Sequence, residues 1–117
     1  MPVNALVSFL IKKRLQQIEL FREHPRMAQL EVFHHLVQNA RYTEWGRKYG
    51  YEDLRDPDEF RARVPVQDYE DVKPFVARMR KGEQNILWPT DVRWFAKSSG
   101  TTSDRSKFIP VSQESLD

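Results

Sequence analysis

The sequence predicts a mainly α-helical segment that ends in a strand–loop–strand hairpin, as the opening part of an α/β fold. Three observations predict it. Apolar residues recur every third or fourth position through the first two thirds of the chain. The period changes to two after Gly82. Between the two short extended runs that follow lies a stretch, 98–106, with no large apolar residue.

The first helix is expected from Asn4 to about Arg22, where Val7, Leu10, Ile11, Leu15, Ile18 and Phe21 form one stripe. That stripe is expected to pack on the rest of the protein. His24-Pro25 breaks it, and Pro25 suits the first turn of a second helix with Leu30, Phe33, Leu36, Val37 and Ala40 on one face. Thr43 can cap a short helix that Gly50 closes. Asp56-Pro57-Asp58-Glu59 is a start signal: a cap, a proline at the first helical position and an acid in the capping-box place. Val64-Pro65-Val66 is expected to be extended, because a residue before proline avoids helical torsions. A helix bent at Pro74 should run from about Asp68 to Lys81 and stop at Gly82. Asn85 to Pro89 reads as a short extended run. Asp91 to Lys97 reads as a strand with Val92, Trp94 and Ala96 on one side, and Lys107 to Val111 as its partner; Ser112 can cap a further helix. The whole, 1–117, divides into a helical part, 1–82, and a strand–loop–strand part, 83–112. Because a two-stranded hairpin is marginal in water, the segment is expected to be a fragment of a larger domain.

Composition narrows the function classes. The chain has 117 residues, 39% hydrophobic and 12% aromatic, enough for a packed core. Nineteen basic against seventeen acidic residues leave a charge of +2. A nucleic-acid binder would concentrate its cations on one element. Here the densest basic spots, Lys12 to Arg14 and Arg78 with Arg80-Lys81, are separated and read as solvated faces, so no nucleic acid is expected. There is no cysteine, which excludes disulfides and thiolate metal sites. The apolar run from Ala5 to Ile11 is too short to span a bilayer, and its charges follow it rather than precede it. No membrane partner is expected, and a cytoplasmic location is. His34 and His35 are neighbours on a helix and point apart, so a shared metal is not expected.

The informative stretch is Ser98-Ser99-Gly100-Thr101-Thr102-Ser103-Asp104-Arg105-Ser106-Lys107. Hydroxyls and free backbone N–H groups supply the short donors that a phosphate oxygen needs. Gly100 lets the main chain approach closely, and Arg105 and Lys107 place positive charge where a polyphosphate is negative. The Walker pattern fails, since Ser106 rather than glycine precedes Lys107 and Phe108 follows it. A dinucleotide fingerprint needs three glycines, and the loop has one. A Ser/Thr-rich P-loop of another kind, set between strands, remains.

The run from Trp94 to Thr102, continuing from Ser106 to Ser112, resembles the first nucleotide motif of the auxin-responsive Gretchen Hagen family of acyl-acid amido synthetases, a branch of the adenylate-forming superfamily. The resemblance extends upstream through Val64-Pro65-Val66-Gln67-Asp68-Tyr69-Glu70, Arg78 to Glu83, and Thr43-Glu44-Trp45-Gly46. It covers most of the chain and is strongest from Val64 onward. Asp104 and Ser103 depart from the plant pattern, and in this the chain is more similar to bacterial members. The resemblance implies a ligase that activates a carboxylic acid with ATP and Mg2+ and joins it to an amino acid. It implies cofactor-binding roles for Ser98, Ser99, Gly100, Thr101, Thr102, Ser103, Arg105 and Lys107. It implies no catalytic residue and no metal ligand in this segment, and an isolated segment without activity. The rival from another class is a non-catalytic helical interaction module with a partner groove along Leu6 to Phe21 and Leu30 to Ala40.

Overall fold

The computed structural model describes residues 2–100 and 105–117. Its elements are α1 (Pro2–Glu23), α2 (Pro25–Ala40), α3 (Glu44–Lys48), a 3-10 turn (Tyr51–Asp53), α4 (Pro57–Arg63), α5 (Tyr69–Arg80), β1 (Trp94–Lys97), β2 (Phe108–Val111) and α6 (Gln113–Leu116). The segment is mainly helical with one small antiparallel sheet.

The helix ends are built as their sequences dictate. Thr43 caps α3: its hydroxyl accepts from the Gly46 N–H at 3.0 Å and donates to the Ala40 carbonyl at 2.6 Å. Being 0% exposed, Thr43 must satisfy both functions internally. Asp56 caps α4 by accepting from the Glu59 N–H, while the Glu59 carboxylate accepts from the Arg55 N–H. Asp68 and Asp71 form a reciprocal capping box at the start of α5. That helix continues through Pro74 to Arg80.

Two clusters make the core. Val37, Ala40, Tyr51 and Leu54 form one, with Phe33 and Phe60 packed against them. Met79, Ile86 and Val92 form the other, with Phe75 and Phe95. Trp88 touches both and joins them. Burial pushes the Tyr51 phenol above its ordinary pKa, against the opposing pull of the Trp45 indole N–H that it accepts at 3.1 Å. Tyr51 therefore stays neutral and acts as an acceptor inside the first cluster.

Three sequence expectations are corrected. Asn85 to Pro89 is not extended in a ladder; it closes the start of α3. The Asn85 and Ile86 carbonyls accept from the Glu44 and Trp45 N–H groups, each at 3.0 Å, satisfying donors that a helix start leaves open. The price is a left-handed Asn85 (φ 57), a torsion asparagine tolerates, and its side-chain amide donates to the Tyr42 carbonyl. The first strand begins at Trp94 rather than Asp91, because the Val92 N–H is taken by the Gln84 side chain. Within β1, Phe95 packs against the second cluster and Trp94 is 52% exposed, a choice of side that the alternation left open. Among the described residues the stripe of α1 is not buried: the helix contacts α2 but has no buried residue. Both sides of the hydrophobic pattern were legible, but not which neighbour each would meet.

Candidate functional site: the β1–β2 loop and the cleft beneath it

The strands β1 and β2 pair antiparallel in the register Trp94↔Val111, Phe95↔Pro110, Ala96↔Ile109 and Lys97↔Phe108. One more rung extends the ladder toward the loop. The Ser98 N–H donates to the Lys107 carbonyl at 2.8 Å, and the Lys107 N–H donates to the Ser98 Oγ at 2.9 Å. Ser98 thus uses its hydroxyl oxygen as an acceptor and keeps its proton to give. Ser98 and Lys107 stand together at the loop's base, with Ser99 and Gly100 on the first arm and Arg105 and Ser106 on the second. The expected roles of Thr101, Thr102 and Ser103, and the orientation of Asp104, lie outside the described residues.

Beneath the second arm is a cleft of about 420 Å3 between α5 and the start of β2. Tyr69, Glu70, Lys73 and Arg80 line it from α5, and Arg105, Lys107 and Phe108 from the loop side. Lys73 has an acidic neighbour, Glu70, at 3.7 Å. Arg80, Arg105 and Lys107 have no carboxylate within ion-pair distance among the described residues. Arg105 and Lys107, on the loop side of the cleft, are cations with no described carboxylate partner, an arrangement that suits a polyanion. Among the described residues no group of three or more His, Asp or Glu stands together as a metal site. His35 hydrogen-bonds Asn39, and His34 meets the edge of Phe33.

Sequence reading missed Tyr69, Lys73 and Arg80. Their helical spacing puts them on one face of α5, which is a signal, but nothing local says that β2 covers that face. Arg78, in a basic spot read as a solvated face, is 39% exposed and also carries a specific pairing. The Arg78 guanidinium is gripped from two sides, by Glu83 at 3.0 Å and by Glu44, which lies at the start of α3. The hydrogen bonds that Arg78 donates to Glu83 and then to Glu44 raise the arginine pKa, and Arg78 in turn holds the Glu83 carboxyl below its ordinary 4.5. A depressed carboxyl stabilises the fold above its unfolded pKa and loses that contribution as pH falls through the folded value. We therefore expect the Tm difference between wild type and Arg78→Met to be constant at neutral pH and to shrink below about pH 4.5. A difference that grows on acidification would contradict the pairing.

Residues 14–117 match the profile of the GH3 family N-terminal domain. The chain belongs to the GH3 family. It is 31% identical over 116 residues to the indole-3-acetic acid-amido synthetase GH3.2 of Arabidopsis thaliana, covering 98% of this chain and 21% of that protein. A probable indole-3-acetic acid-amido synthetase GH3.2 of Oryza sativa subsp. japonica is 37% identical over 76 residues, covering 64% of this chain and 12% of its own. The solved GH3.15 acyl acid amido synthetase superposes with a TM-score of 0.76 at 26% identity, over 86% of this chain and 18% of that one. The chain thus spans about a fifth or less of the length of these relatives.

Proposed function

We propose that residues 1–117 are the N-terminal part of the large adenylate-forming domain of an ATP-dependent acyl-acid amido synthetase with an overall α/β fold. The observation that carries the reading is the base of the loop: Ser98 and Lys107 are locked to each other at the mouth of a hydroxyl-rich turn, beside cations that no described carboxylate neutralises. GH3 membership and relatives named as amido synthetases support it. Asp104 and Ser103 alone support a bacterial-type member.

In this reading Ser98, Ser99, Thr101, Thr102 and Lys107 hold the β- and γ-phosphates of ATP, with Gly100, Ser103 and Arg105 shaping and charging the same grip. The carboxylate oxygen of the acid attacks the α-phosphorus, the bond to the pyrophosphate oxygen breaks, and the electron pair leaves with pyrophosphate. An amino acid's amine then attacks the acyl carbon, AMP departs, and the nitrogen loses its proton to water or buffer. The loop contributes positioning and charge stabilisation rather than proton transfer. Magnesium would accompany ATP and share its phosphate charge; no group of three or more His, Asp or Glu among the described residues could hold it. The acyl and amine pockets lie outside this segment, so the segment alone turns over nothing. No helix among the described residues is long and apolar enough to cross a membrane, and we place the enzyme in the cytoplasm.

The test is a pyrophosphate-release screen of the intact protein over carboxylic acids and amino acids. Release that requires ATP and one acid, with amide formed on adding an amino acid, is the expected result. ATP-independent amide formation, or none with any pair, would contradict it.

A further inference from the structure

The Tyr69 phenol, in the first turn of α5, makes two hydrogen bonds to one residue. It donates to the Phe108 carbonyl and accepts from the Phe108 N–H, each at 2.9 Å. Those are the groups that β1 leaves unpaired. Lys107 turns its N–H and carbonyl toward Ser98, so by the alternation of an antiparallel ladder Phe108 turns its own outward. Tyr69 fills, with one oxygen, the place of a third strand at that rung. Three helical turns further along the same face, Arg80 lays its guanidinium 3.5 Å above the centre of the Phe108 ring. One helix therefore holds both the backbone and the side chain of Phe108. The residue just before it, Lys107, extends its ammonium to 5.7 Å from the Tyr69 ring.

The hairpin needs such a hold. Its strands are four residues each, a length at which pairing is weak and slippage easy. A slip of one residue would move Lys107 to the opposite face of the sheet. We propose that Tyr69 is a positioning residue for the phosphate site, with Arg80 as its second arm: the clamp on Phe108 fixes the register and direction in which Lys107 meets ATP. The proposal rests on the reading of the loop as a phosphate grip. Neither α5 residue touches the phosphates in it; both act through Phe108 and Lys107.

The experiment uses the intact enzyme and compares three variants by ATP-dependent pyrophosphate release. Tyr69→Phe removes only the hydroxyl and keeps the ring. The KM for ATP should rise about tenfold, from the loss of two hydrogen bonds to the strand, while the KM for the carboxylic acid stays within twofold. Arg80→Met should act in the same direction by about threefold, and it decides the matter if Tyr69→Phe does not accumulate as folded protein. Lys107→Ala separates this proposal from the reading beneath it. If Lys107→Ala impairs ATP use and neither α5 variant does, the clamp is overturned and the phosphate loop stands. If Lys107→Ala leaves ATP kinetics unchanged, the loop reading falls and the clamp with it. A Tyr69→Phe enzyme whose KM values for ATP and acid rise together shows a general structural role and also overturns the proposal.

Discussion

Lys107→Ala in the intact enzyme should lower kcat/KM for ATP about a hundredfold, the scale seen when one preorganised stabiliser of developing charge is removed. The magnitude follows from how the lysine is held. Both of its backbone groups are fixed to Ser98, so the origin of its side chain is set before ATP arrives. Among the described residues its ammonium has no carboxylate within ion-pair distance. Lys107→Arg, which keeps the charge but not the compact ammonium, should recover part of the loss. Initial rates of pyrophosphate release across an ATP series check both. An unchanged kcat/KM in Lys107→Ala would mean that the cation serves only solubility.

Gly46→Ala should be severely damaging for a single added methyl. A Cβ at position 46 would sit 2.0 Å from the Ala40 carbonyl oxygen, 2.9 Å from the Ala40 carbonyl carbon and 3.1 Å from that of Arg41. These are backbone atoms at the end of α2, and they cannot swing aside as a side-chain tip can. The same Ala40 carbonyl takes the buried Thr43 hydroxyl, whose oxygen accepts from the Gly46 N–H, so relief by shifting the turn would break the α3 cap as well. Overpacking together with a lost cap should cost at least about 3 kcal/mol. Urea unfolding should show a lower midpoint at an unchanged slope. A midpoint equal to wild type would show that the α2–α3 corner is looser than described. The Trp45-Gly46 step in the family resemblance thus has a steric cause: only a hydrogen fits where α3 turns against the end of α2.

The helical part was legible because its punctuation is local. Thr43, Asp56 and Asp68 each cap the helix that follows them, and His24-Pro25 and Gly50 interrupt the pattern where the chain turns. The hydroxyl density and the two cations of 98–107 are equally local features of the sequence, and the phosphate role proposed for them rests on that pattern and on the family. What escaped was set by partners distant in sequence. Glu44 and Arg78 meet across 34 positions, and Tyr69 and Phe108 across 39. Asn85 and Ile86 look like a strand until α3 claims their carbonyls. The amphipathic stripe of α1 correctly predicted a helix, yet periodicity gives only a face and never its neighbour.

In the proposed function, the segment between β1 and β2 is where ATP's terminal phosphates are held. The most direct measurement is the ATP-dependent pyrophosphate release of the intact enzyme with Ser99, Thr101, Thr102 and Lys107 all changed to alanine, on a protein shown by its unfolding curve to be folded. A rate at background, at every ATP concentration reached, is what the account predicts. A full wild-type rate from that variant would contradict it.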